Sequence, residues 1–164
     1  QMADLAQDTK PIAAQTFRLR TPLLSQGRTH TILASAPKDR TGGMNVAIKC
    51  YAEGGENAFH AHNLEDHTFM VLQGRAQFYQ PDAPPMNLGR NEGILIPAGA
   101  LYKFESCGDE PLVLLRVGNV YQPVGGQVKA SASQRKAPDG SEIDAHSMEN
   151  GHVEPIVIDG AWYE

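Results

Sequence analysis

From Met44 to Tyr121 the chain is divided into short runs of alternating apolar and polar residues, each about ten residues from the next and each closed by Gly, Pro, Asn or Asp. The runs cover 45–51, 68–72, 76–79, 93–96, 102–105 and 112–117. Within them Val46, Ile48 and Cys50 fall on one side of an extended chain, and Ala76 and Phe78 share a side of another. Strands of this length and spacing fold as a sandwich or a barrel. No window carries a helical stripe, and 4–7 offers at most a turn. The 16 Gly and 11 Pro suit a turn-rich, strand-dominated globule better than a helical bundle. The expected class is all-β, and 164 residues provide one core with extensions rather than two domains of ordinary size.

The flanks read differently. Residues 1–43 form an arm with one or two strands, one of them at 29–33, and a turn at 38–43. The barrel proper spans 44–121. Residues 122–164 open with Gln122-Pro123-Val124-Gly125-Gly126, continue through a polar stretch, and end in an apolar run at 155–158 that reads as a final strand.

Composition narrows the partners. The net charge is −5 and the basic residues are scattered, so there is no cationic stripe to displace counterions from a nucleic acid. No apolar run approaches the ~20 residues of a membrane span. Cys50 lies in a strand-like run and Cys107 in a Ser-Cys-Gly turn, with no CxxC spacing. Two such cysteines fit a reducing compartment and are expected to remain unpaired. The amino-terminal residues lack the basic-then-apolar pattern of a secretion signal, so the expected location is cytoplasmic.

The chemistry concentrates in His60-Ala61-His62-Asn63-Leu64-Glu65-Asp66-His67. Two histidines at i and i+2 on a strand project from one face, about 6.6 Å apart, close enough for both imidazoles to converge on one ion. His67 then arrives on the next strand after a short connection. A lone histidine is most often a surface or packing residue, and His30, His146 and His152 are read that way. Glu65 and Asp66 read as exposed turn carboxylates, with an imidazole-orienting role as the alternative. Gln77, Lys103 and Arg116 lie on strands and could reach the same interior, depending on register.

Gly54, five residues, His60-Ala61-His62, four residues, His67, six residues and Gly74 resemble the first motif of the cupin superfamily. Asn91 to Tyr102, with Pro97-Ala98-Gly99 at its centre, resembles the second. The departures are His67 where most cupins carry Glu, Asn91 for the opening Gly, Ser106 for the closing Asn, and Tyr102 where a fourth histidine is usual.

The resemblance implies a double-stranded β-helix, a jelly-roll barrel with N- and C-terminal extensions, paired as a homodimer. It also implies one divalent metal ion on His60, His62 and His67, with Fe(II) favoured and Zn, Ni, Mn, Co or Cu as alternatives. Phe69, Val71, Phe78 and Phe104 would make a largely apolar pocket for a small-molecule substrate, or simply core. Tyr102 would act as a ligand, a hydrogen-bond donor or a base with lowered pKa, or else as an aromatic wall. The activity implied first is a three-histidine Fe(II) dioxygenase acting on a small chelating substrate. A non-redox lyase, isomerase or hydrolase comes second, and a non-catalytic ligand-binding or metal-stapled barrel third.

Overall fold

The computed structural model describes residues 13–36, 42–121, 135–143 and 153–164. The turns read at 4–7 and over most of 38–43, most of the polar stretch after Tyr121, His146 and His152 lie outside the described residues. The chain runs through twelve strands: β1 Thr21–Gln26, β2 Arg28–Ser35, β3 Gly42–Tyr51, β4 Gly55–His62, β5 Glu65–Gln73, β6 Ala76–Tyr79, β7 Met86–Leu88, β8 Gly93–Ile96, β9 Tyr102–Ser106, β10 Leu112–Tyr121, β11 Arg135–Lys136 and β12 Ile156–Tyr163. No helix occurs among the described residues, and none is long and apolar enough to cross a membrane.

Two five-stranded antiparallel sheets face each other, in the orders β2-β3-β10-β5-β8 and β11-β4-β9-β6-β7. Neighbours in space are mostly distant in sequence, as when β10 inserts between β3 and β5. This is the jelly-roll arrangement, in which the two inner faces share one interior.

Strand periodicity decides what that interior contains. On β5, Glu65, His67, Phe69 and Val71 share the buried side, while Thr68 and Met70 face outward. Across the interior, Tyr51, Phe69, Val71, Leu112 and Leu114 of the first sheet pack against Ala76, Phe78, Tyr102 and Phe104 of the second. Ring centroids of Phe69–Phe78 and Phe69–Phe104 are 5.5 Å apart, the spacing of interlocked aromatic pairs.

Val46, Ile48 and Cys50 do share a face, and it is the outer face of the first sheet. There Leu24 of β1 joins Ile48, Cys50, Leu72 and Val113 in a second apolar cluster, with Tyr163 of β12 packed against it. The β1–β12 ribbon therefore covers what would otherwise be an exposed apolar sheet face. Cys50 is buried in this cluster, which pushes its thiol up to about 11, while Cys107 is exposed. Both thiols are free.

The motif residues do backbone work. Gly74 turns the chain from β5 to β6 at φ 77°, and a Cβ there would crowd the Pro111 carbonyl. Asn91 takes φ 67° where the related motif has glycine, a conformation that Asn adopts more readily than most side chains.

Candidate metal centre

β4 and β5, which lie in opposite sheets and follow one another through a short turn, carry the histidines. β4 reads poorly as a strand from its sequence because its inward face is polar: Glu56, His60 and His62 all point into the barrel, with an irregularity in the pairing to β9 between Glu56 and His60. After the two-residue turn, β5 returns with Glu65 and His67 on the same inner face.

One ligand atom from each of His62, Glu65 and His67 lies within 4.8 Å of the other two. His67 Nε2 is 3.2 Å and His62 Nδ1 3.8 Å from the same carboxylate oxygen, Glu65 Oε2. The centroids of the His62 and His67 rings are 4.1 Å apart. His60 stands beside this group rather than in it, with its ring centroid 5.2 Å from that of His62. Its Nδ1 is 2.9 Å from the Ala58 carbonyl, and its buried Nε2 makes no hydrogen bond although it lies 3.2 Å from Glu56 Oε2.

Glu65 is therefore not an exposed turn carboxylate. It is nearly buried, and the site is not free of carboxylate as the three-histidine pattern alone suggested. The signal was its parity with His67. Gly118 on β10 makes room for it, because a Cβ there would overlap Glu65 Oε1. Arg116 also points inward: Nη2 is 2.6 Å from His67 Nε2 and 3.1 Å from Glu65 Oε1, and Nη1 donates to Asn45 Oδ1 at 2.7 Å. Lys103 and Gln77 turn outward, Lys103 over the rings of Phe59 and Tyr79 and Gln77 to Asn87.

Beneath the histidines lies a second polar chain that sequence reasoning missed. Lys49 Nζ donates to Glu56 Oε1 at 2.7 Å, and the Tyr102 hydroxyl donates to Glu56 Oε2 at 3.1 Å. Tyr102 also lies 3.3 Å from His67 Nδ1. With Arg116 donating to Nε2, the neutral His67 ring carries its proton on Nδ1 and gives it to the Tyr102 oxygen.

The electrostatics follow from burial. Desolvation, helped by the neighbouring His67, pushes His62 down to about 2, and burial lowers His67 as well, so both rings are neutral. Burial works against ionised Glu65, but its contact with His67 and the Arg116 charge outweigh it and hold the carboxyl near 2. Glu56 is likewise held well below the carboxylate range, with Lys49 overcoming its burial. Burial and the Glu56 charge push Tyr102 far above an ordinary phenol. The lowered pKa that a tyrosine base requires is thus absent; Tyr102 holds its proton.

Phe69, Val71, Phe78 and Phe104 are fully buried against one another and floor the site. Phe69 reaches the histidines directly, with its ring centroid 5.8 Å from that of His67. His30 sits exposed on β2 opposite Lys49.

These donors suit a divalent ion. Two neutral imidazoles and an ionised carboxylate converge, a third imidazole offers an unclaimed buried nitrogen, and a cradle is kept open at Gly118.

A jelly roll with a polar, imidazole-rich interior between its two sheets is the class of protein these features define. Residues 47–118 match the cupin domain family, so this part of the chain is a cupin domain. No curated protein matches the sequence. Among solved structures, a candidate mannose-6-phosphate isomerase from Ralstonia eutropha JMP134 is similar at 18% identity, over 62% of this chain and 91% of its own, with a TM-score of 0.52. KdgF from Halomonas sp. is similar at 15% identity, over 60% and 83% respectively, with a TM-score of 0.49. At these identities the likeness is one of fold.

Proposed function

We propose that the chain is a mononuclear metal-dependent enzyme acting on a small chelating substrate, with Fe(II)-dependent dioxygenation as its leading reaction. The observation that carries this reading is the convergence of His62, Glu65 and His67 on one point inside the barrel. Two imidazoles and one carboxylate are the donor set of many non-haem Fe(II) oxygenases. When bound there, a divalent ion supplies a Lewis acid with open positions, and as Fe(II) it also supplies redox chemistry.

The chain's own groups prepare the site. Burial keeps His62 and His67 neutral, the state in which an imidazole can bind a metal. Tyr102 fixes the tilt and tautomer of His67 through Nδ1, as partners of ligating histidines commonly do. The aromatic floor excludes water from below. His60 adds a further imidazole whose Nε2 is unclaimed.

A second reading is favoured by one feature. Tyr102 and Glu56 form a buried donor–acceptor pair beside His60, with Lys49 as counter-charge, and such a pair can hold and move a proton. A non-redox lyase or isomerase would use it.

Elemental mass spectrometry of the purified protein tests the common core of both readings. The expected result is about one ion per chain, lost in His62→Ala and Glu65→Ala. No bound ion after reconstitution with Fe(II), Zn(II), Mn(II) or Ni(II) would overturn it. Substrate-dependent oxygen consumption by the Fe(II) form selects dioxygenation, and anaerobic turnover with Zn(II) or Ni(II) selects the second reading.

A further inference from the structure

The buried charges inside the barrel cancel as they stand. Glu56 and Glu65 contribute two buried carboxylates, and each is paired with a buried cation, Lys49 with Glu56 at 2.7 Å and Arg116 with Glu65 at 3.1 Å. Adding a divalent ion at His62, Glu65 and His67 leaves this interior with an excess of two positive charges. An uncompensated charge in a low-dielectric interior is costly, so the ligand that completes the site must be anionic.

Arg116 says where the negative group goes. Its Nη2 donates to His67 Nε2 and Glu65 Oε1, at 2.6 and 3.1 Å, and these are atoms of two residues that would hold the ion. An imidazole lone pair cannot serve a cation and an N–H at once. Once His67 Nε2 is engaged, the Arg116 donor beside it loses its acceptor. Nη1 stays anchored on Asn45 Oδ1, so the guanidinium remains within the barrel beside the ion. A second cation stands at the same rim: Arg135 pairs with His62 across β11 and β4, and its buried Nε has no hydrogen-bond partner among the described residues.

Building on the metal-dependent reading above, we propose that Arg116 is the carboxylate anchor of the substrate site, that Arg135 assists it from the rim, and that the substrate class is a small chelating carboxylate. One part of the ligand binds the ion while its carboxylate takes the Arg116 donor that His67 gives up. Before the ion binds, that donor is occupied by His67 Nε2, so carboxylate binding depends on the metal.

The test is calorimetric and needs no turnover. Metal content is measured first, so that a protein that takes up no ion counts against the metal reading and is distinguishable from failure of this one. Zn(II)-loaded protein is then titrated with oxalate, a small carboxylate chelator, and with acetohydroxamate, a chelator without a carboxylate. Arg116→Met is expected to weaken oxalate by roughly tenfold to a hundredfold, the range for a charge-assisted hydrogen bond, and to leave acetohydroxamate within about threefold. The same variant is expected to bind Zn(II) at least as tightly as the parent, because a competitor for His67 Nε2 is gone. Arg116→Lys, which keeps the buried charge opposite Glu65, covers the case in which the methionine variant does not fold, and is expected to lose at least about fivefold on oxalate through loss of the guanidinium fork. Arg135→Gln is expected to lose several-fold. Equal oxalate affinity in the parent and the folded Arg116 variants, or equal losses for both chelators, would overturn the proposal, as would oxalate binding of the same strength without metal.

Discussion

One strand, β5, contributes to two interiors of opposite character. Its inward residues Glu65 and His67 face His62, Arg116 and Tyr102, whereas Phe69 and Val71, the next two positions on the same face, meet Phe78, Phe104 and Leu114. Burial is nearly complete in both halves. In the floor it is the source of stability, at roughly 1.5–3 kcal/mol for each large side chain removed from water. In the upper half the same burial is unfavourable for every ionised group and is offset only by paired partners. The floor therefore supplies the free energy that holds the polar half in place, and substitutions in the two halves should fail in different ways.

The largest effect is expected in the floor. Phe78→Ala should cost about 3–5 kcal/mol by chemical denaturation, because the ring is fully buried between Phe69 and Phe104, while the fraction that stays folded keeps its metal affinity. Loss of metal binding in folded Phe78→Ala would break the division between the halves.

The polar half should instead respond to acid. His62 stays neutral in the folded protein down to about pH 2, whereas in the unfolded chain it takes up a proton below its ordinary 6.5. The unfolded state then binds more protons between these values, so the metal-stripped protein is most stable above pH 6.5 and loses about 1.4 kcal/mol per pH unit per such histidine as the pH falls. Between pH 6.5 and 4.5 that amounts to roughly 2–3 kcal/mol from His62. Denaturation midpoints across that range should show the slope in the parent and a shallower one in His62→Ala. Equal slopes would place the acid response elsewhere.

Gly118→Ala sharpens the comparison at a single point. A methyl group there overlaps Glu65 Oε1, so a cost of about 1–3 kcal/mol is expected together with loss of most bound metal, read by elemental analysis. Tyr102→Phe should cost about 1–2 kcal/mol, since it strips a partner from both Glu56 and His67 and leaves the aromatic packing intact. The smallest effect belongs outside the barrel. Arg20→Ala removes an exposed pair with Glu164 and a stack on Trp162, and should change stability by less than about 1 kcal/mol without altering the metal site.

Much of this was legible because apolar alternation and polar turns coincide. The strands at 76–79 and 93–96 occupy those residues in the structure, and the run at 112–117 is the start of a longer strand. β4 was not legible as a full strand, because a pattern search looks for apolar residues on the inward face and here that face carries Glu56, His60 and His62. The same bias hid Lys49, which sits among apolar neighbours yet pairs with Glu56 inside. Glu65 was misread for a different reason. Its position after a turn suggested solvent, whereas its even spacing from His67 already placed both on one face. Spacing alone singled out His60, His62 and His67 together. What spacing could not supply was the cross-strand register that brings Arg116 and Gly118 of β10 against them.

The place of β10 between β3 and β5 has a consequence for how the chain is made. On the ribosome, the β2–β3 pair and the strands from β5 to β8 emerge as separate fragments, and each leaves an unpaired hydrogen-bonding edge. Only β10 joins them, so one sheet of the jelly roll closes after Tyr121 has left the tunnel, and the ribbon of β1 with β12 closes later still. Closing such long loops is slow. The nascent chain thus carries open strand edges for most of its synthesis, and that interval is when it most needs protection from other chains.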